Sequence, residues 1–254
     1  MNRILSMVRR CVEDYDMIKP GDRIAVGVSG GKDSLVLLTA LAKLRDFYPI
    51  PFEVEAFTLD MGHADGWPSA DFTALEAFCQ QLNVPFTLLN SEIHHVIFDI
   101  RKEKNPCSMC AKMRRGALNQ ALKEHGIHKI ALGHHYDDAI ETFYMSLIFE
   151  GRISCFQPVT WLDRMEVTQI RPLLYCGESL VRATAERLEL PVVPSHCPVD
   201  KNTKRQEIKE LVAELSGHYP GLKERTFGAM QRLPLKAWEP VQQRRRPLPE
   251  ELGD

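Results

Sequence analysis

The sequence predicts an α/β fold: a mainly parallel five-stranded sheet with helices on both faces, plus a helical C-terminal extension. Three observations predict it. Short apolar runs alternate with stretches of helical periodicity from residue 23 to residue 174, the pattern of βαβ units that require a parallel sheet. The first run ends in small residues and passes straight into a leucine-spaced helix. Beyond Gly177 the apolar spacing is mostly helical. The 254 residues are 44% apolar and 26% charged, a soluble globular composition long enough for one or two domains.

Residues 1–19 read as an amphipathic helix with Leu5, Val8 and Val12 on one face. Arg9, Arg10 and Glu13 interrupt its apolar stretch, so it makes a poor signal peptide. Residues 23–28 (RIAVGV) form the first strand, and 32–47 a helix with Leu35, Leu38, Leu41 and Leu44 at helical spacing. A second strand covers 53–60, a helix 68–82, and a third strand 84–89. A helix over 105–125 follows the entry at Pro106. The fourth strand is 129–133, and a helix spans 138–149. A hairpin-like excursion over 153–167 precedes the fifth strand at 168–174. Helices at 178–188, 203–216 and 222–232 make the extension. The organisation expected is an N-terminal helix (1–19), a nucleotide-binding catalytic domain (20–176), a helical extension (177–235) and a flexible tail (236–254).

The formal net charge of −2 excludes a globally basic coat for nucleic acid but not a local basic face. No run approaches the roughly 20 apolar residues of a membrane span, so no membrane is expected. The seven cysteines are an odd number, which argues for a reducing, cytoplasmic setting rather than a disulfide framework. They are left to packing, metal binding or redox chemistry.

The first strand runs into Ser29-Gly30-Gly31-Lys32-Asp33-Ser34 before the helix starts. Glycines let backbone approach a phosphate, a helix N-terminus presents free N–H groups, and Lys32 adds a full charge. The loop is not a Walker A motif, because Val26 stands where its first glycine belongs and Asp33 follows the lysine. A serine-capped glycine turn is the plain alternative.

These residues resemble the SGGxDS signature of the PP-loop ATP pyrophosphatases, enzymes that adenylate a carbonyl oxygen and release pyrophosphate. The resemblance implies a Rossmann-like sheet with ATP across its carboxyl edge. On it Ser29, Gly30, Gly31, Lys32, Asp33 and Ser34 contact the nucleotide. Asp60 ends the second strand, where a carboxylate would meet the nucleotide or its Mg²⁺. Gly133-His134-His135-Tyr136-Asp137-Asp138 resembles the family's GH-x-x-DD segment. Gly133, His134 and Asp138 then belong to the nucleotide site, and Asp137 to catalysis with Lys32, Asp33 and Asp60. Paired carboxylates suit Mg²⁺ on phosphate oxygens, although Asp137 serves equally as a cap for the next helix.

Cys107 and Cys110 make a C-x-x-C pair at a helix start. Zinc, an iron–sulfur cluster and dithiol redox chemistry all use that spacing. Cys197 is the distant partner, whereas Cys11, Cys79, Cys155 and Cys176 lie in apolar contexts that suit packing. The trio resembles the iron–sulfur-dependent tRNA thiolases, and among them the 2-thiocytidine branch. The resemblance implies a [4Fe–4S] cluster on Cys107, Cys110 and Cys197, and a basic catalytic residue at Arg114. It also implies tRNA as substrate, a sulfur donor such as a cysteine desulfurase or sulfide, and a homodimer. The 2-thiouridine relatives carry zinc-binding cysteine pairs at both chain ends, which this sequence lacks.

Arg101, Lys102, Lys104, Lys112, Arg114, Arg115, Lys123 and Lys129 outweigh Glu103 and Glu124 in one basic segment, and Lys201, Lys204, Arg205 and Lys209 make a second. They flank the cysteine trio, where RNA phosphates would need neutralising. Two other readings remain open: a PP-loop sulfurtransferase or ligase for a small molecule, with an incidental basic surface, and a non-enzymatic zinc- or nucleotide-binding module.

Overall fold

The computed structural model describes residues 1–62, 70–103, 106–193 and 204–232. Cys197, Lys104, Lys201 and the tail expected at 236–254 lie outside them. Strand β1 (Asp22–Gly27) carries Ile24, Ala25 and Val26, apolar toward both faces, and takes the centre of the sheet. It pairs in parallel with β2 (Phe52–Asp60) on one side and β4 (Lys129–Ala131) on the other. β3 (Phe86–Asn90) extends the sheet beyond β2, and β6 (Val167–Ile170) beyond β4.

Among the described residues the sheet has six strands, one more than the five expected. β5 (Val159–Leu162), within the hairpin-like excursion, pairs antiparallel with β6 and gives the order β3-β2-β1-β4-β6-β5. Its four residues are too few for a legible alternation. The strand expected to continue to residue 174 stops at Ile170 instead. Pro172 has no N–H to give a ladder, and a 3₁₀ turn, Pro172–Tyr175, begins there.

Alternation in the central strands divides the apolar side chains. Ile24, Val26, Val54 and Ala56 join one core; Ala25, Phe57, Ile130 and Val167 join another. The first core is covered by α1 (Asn2–Asp14) and α2 (Lys32–Arg45), the second by Ala121 and Leu122 of α4 (Pro106–Glu124). Helix α3 (Thr73–Gln81) buries Leu75 and Cys79. Helix α5 is Tyr136–Glu150; α6 (Glu178–Arg187), α7 (Lys204–His218) and α8 (Leu222–Arg232) make the extension. Ile4 and Val8 of α1, Ile208 of α7, and Phe227 and Met230 of α8 all enter the first core. A π-helical segment, His95–Ile100, was not legible in the sequence; a 2.7 Å His95–Asp99 contact spans it.

Strand order reverses at β1, so the carboxyl ends of β1 and β4 open a crevice at the switch point, where α/β sheets hold ligands. The loop into α2 and the segment after β4 form its two walls.

Candidate active site

The loop after β1 is held by its own side chains. Ser34 Oγ donates to the Gly31 carbonyl at 2.9 Å and accepts the Ser29 N–H at 3.2 Å. Ser29 Oγ accepts the Gly31 N–H at 3.4 Å. Gly30 has φ +81°, and a Cβ there would stand 2.8 Å from the Val193 Cβ. Val193 N–H donates to the Gly30 carbonyl at 3.0 Å, so the segment after α6 braces the loop. With no side-chain cap, the first turn of α2 points its N–H groups into the crevice.

Lys32 Nζ lies 3.2 Å from the Asp33 carboxylate and 3.5 Å from Glu178 Oε1. Asp33 Oδ1 is buried without a hydrogen bond. Across the crevice, His135 and Asp138 form a capping box on α5. The His135 N–H donates to Asp138 Oδ2 at 2.9 Å, and His135 Nδ1 accepts the Asp138 N–H at 3.4 Å. That bond leaves the ring proton on Nε2, which faces Asp33 Oδ1 at 3.9 Å. Gly133 packs against the same turn: a Cβ would lie 3.1 Å from the Ser34 nitrogen.

The structure gives three of the expected site residues structural partners of their own. Asp137 was expected at the nucleotide's metal or as the cap of α5. Its oxygens instead accept from Lys223 Nζ and the Glu178 N–H, both at 2.6 Å, so it caps α6 and ties α8 to it. Asp138 is the residue that caps α5, and its second oxygen holds Arg205 of α7 at 2.8 Å. His134, expected at the nucleotide, lies against Phe156 with ring centroids 4.9 Å apart. Burial and the neighbouring Arg171 push it down to about 4, which keeps it neutral. Asp137→Asn removes the ion pair and half of a helix cap, and is expected to lower stability by about 1–3 kcal/mol in urea unfolding. Unchanged stability would return Asp137 to the role first expected.

Asp60 ends β2 with Oδ1 accepting the Gly62 N–H at 2.9 Å, while Ser91 Oγ donates to its carbonyl at 2.7 Å. His94 was missed in the sequence. It contacts the Gly62 backbone and senses both Asp60 and Arg114, with burial holding it below its ordinary value. Arg114 is exposed on α4, one helical turn beyond Cys110. Cys107 is exposed and Cys110 half-buried on the first turn of that helix, neither in a disulfide. Among the described residues no three His, Cys, Asp or Glu side chains gather as a metal site, and Cys197 is not one of those residues. Cys11, Cys79 and Cys176 are buried, as packing residues should be.

Two charged residues escaped the sequence reading, Glu178 and Glu141, because each acts across a long sequence separation. Glu178 reaches Lys32, and Arg205, expected only as part of a basic segment, pairs with Asp138 and Glu141. Burial, with Asp138 nearby, raises Glu141 to about 7.

The PP-loop domain family matches residues 3–215 of the chain. The chain belongs to the PP-loop family. PP-loop relatives include the tRNA-cytidine(32) 2-sulfurtransferase of Nitrosomonas eutropha, 36% identical over 235 residues, 92% of this chain and 74% of the relative. The Dichelobacter nodosus protein of the same name is 37% identical over 230 residues, 90% of this chain and 85% of its own. Among solved PP-loop structures, the U34-tRNA thiolase NcsA from Methanococcus maripaludis with its [4Fe-4S] cluster superposes with a TM-score of 0.73 and 27% identity. That match covers 91% of this chain and 78% of NcsA.

Proposed function

We propose that this protein is an ATP-dependent tRNA sulfurtransferase converting cytidine to 2-thiocytidine. The observation that carries the reading is one crevice walled by a self-braced phosphate loop and the Gly133–His135 segment, in a chain whose α4 starts with Cys107 and Cys110. The names of the PP-loop relatives support the same substrate and reaction.

The chain's residues suit the groups this chemistry needs. The buried Asp33 oxygen without a hydrogen bond is a ready ligand for Mg²⁺ carried by ATP, and Asp60 supplies a second carboxylate. Cys107 and Cys110, one turn apart, suit a soft metal centre, with Cys197 as third ligand. A [4Fe–4S] cluster held by these three thiolates would supply an iron open to the incoming sulfur.

Lys32 and the α2 N-terminus neutralise the triphosphate and the pyrophosphate that leaves it. The cytidine carbonyl oxygen bonds to the α-phosphorus as the bond to the β-phosphate oxygen breaks. Sulfur then forms its bond to C2, and the C2–O bond breaks with AMP as leaving group. Arg114 stabilises charge developing at the base. The sulfur enters at the sulfide level, as sulfide itself or as a cysteine desulfurase's persulfide sulfur whose S–S bond is cleaved by two electrons from an external thiol reductant, and the working form is a cytoplasmic homodimer. No helix among the described residues is long and apolar enough to cross a membrane.

Nucleoside analysis of tRNA from cells lacking the gene tests the reading. Loss of 2-thiocytidine is expected; its persistence overturns it. The exposed cations of α4 give a second test. Lys112→Ala with Arg115→Ala is expected to flatten the salt dependence of tRNA binding, reducing the log–log slope by about 1–2. An unchanged slope removes this helix from the RNA interface.

A further inference from the structure

We infer that Glu178 is a positioning residue that occupies the loop lysine when no phosphate is present and takes it back as pyrophosphate leaves. The inference rests on the nucleotide reading of the loop. Glu178 Oε1 faces Lys32 Nζ at 3.5 Å. The same carboxylate is anchored elsewhere, by Lys209 Nζ at 2.8 Å and Arg182 Nη2 at 3.0 Å. Its side chain is only 17% exposed, so these pairs are partly shielded from water.

Burial alone would raise Glu178, but the Lys209 hydrogen bond and charge hold it down to about 2. It is therefore ionised at any working pH. Its own N–H is committed to Asp137, which sets the start of α6 and so the direction of the side chain.

This arrangement makes an exchange inexpensive. An incoming phosphate draws Lys32 away from Glu178, yet Glu178 keeps Lys209 and Arg182 and is never left as a buried lone charge. When pyrophosphate departs, the anchored carboxylate is already in place to neutralise Lys32 again. Glu178 thus competes with phosphate for one ammonium group, weakening product binding and leaving the bond-making steps untouched.

The test measures binding of inorganic pyrophosphate with Mg²⁺ by calorimetry, and kcat and KM for ATP, in the full chain. Glu178→Gln is expected to tighten pyrophosphate about two- to fivefold, the scale of one partly exposed ion pair, and to lower the KM for ATP similarly. Glu178→Asp keeps the charge but shortens the reach; it is expected to give a smaller gain, and it serves if the Gln variant fails to fold. Glu186→Gln removes a carboxylate from the same helix two turns on and is expected to change nothing. Unchanged or weaker pyrophosphate binding in Glu178→Gln overturns the inference, as does an equal gain in Glu186→Gln. Wild-type protein that binds neither pyrophosphate nor ATP overturns the nucleotide reading itself.

Discussion

Cys107→Ser is expected to lose tRNA thiolation to below detection while the protein stays folded. Cys107 is exposed at the head of α4 and makes no core contact, so its substitution should move stability by no more than about 0.5 kcal/mol. As one of the three thiolate ligands proposed above it could not be replaced by a hydroxyl, which is a poor soft-metal donor. Anaerobic reconstitution of the variant should therefore give far less bound iron and sulfide than wild type. Cys176→Ser makes the contrast. That thiol is fully buried, and burial pushes it up to about 12. A hydroxyl there is a buried polar group, and should cost about 1–3 kcal/mol of stability with iron loading unchanged in the folded fraction. Full iron loading by Cys107→Ser would remove the cluster from the proposal.

What the sequence made legible was local. The loop after β1 reads from six consecutive residues, and each parallel strand from its own apolar run. The missing pieces depend on partners far along the chain. Asp137 and Asp138 are neighbours in sequence, and nothing local tells which faces the crevice. Asp138 caps its own helix, whereas Asp137 caps α6, reached through Glu178, and pairs with Lys223 of α8. Glu178 reads as an ordinary charge at the start of a helix; only the fold brings Lys32 to it. β5 was hidden for a different reason. Four residues with Thr160 and Trp161 at the centre carry too little pattern, and pairing with β6 decides their state. The π-helical segment has no side-chain cap to announce it.

Gly133 shows how much of the site depends on an approach that no motif spacing reveals. A Cβ at this position would lie 3.1 Å from the Ser34 nitrogen, 3.2 Å from the Asp33 carbonyl carbon and 3.3 Å from the Ser34 Cα. All three atoms are backbone, so none can rotate away as a side-chain end would. The Gly133–His135 segment or the first turn of α2 must shift by a few tenths of an ångström. That turn carries the N–H groups aimed at phosphate, and small displacements of positioning groups cost rate steeply. Gly133→Ala is therefore expected to raise the KM for ATP about tenfold and to cost about 1–3 kcal/mol of stability through overpacking. Gly116, on the exposed face of α4, has nothing within 4 Å of its would-be Cβ. Gly116→Ala should instead stabilise the chain by about 0.5–1 kcal/mol with ATP kinetics unchanged. Both are measured by urea unfolding and by pyrophosphate release. If Gly133→Ala loses stability but keeps the wild-type KM, the close approach serves packing alone, and the phosphate donors of α2 do not depend on it.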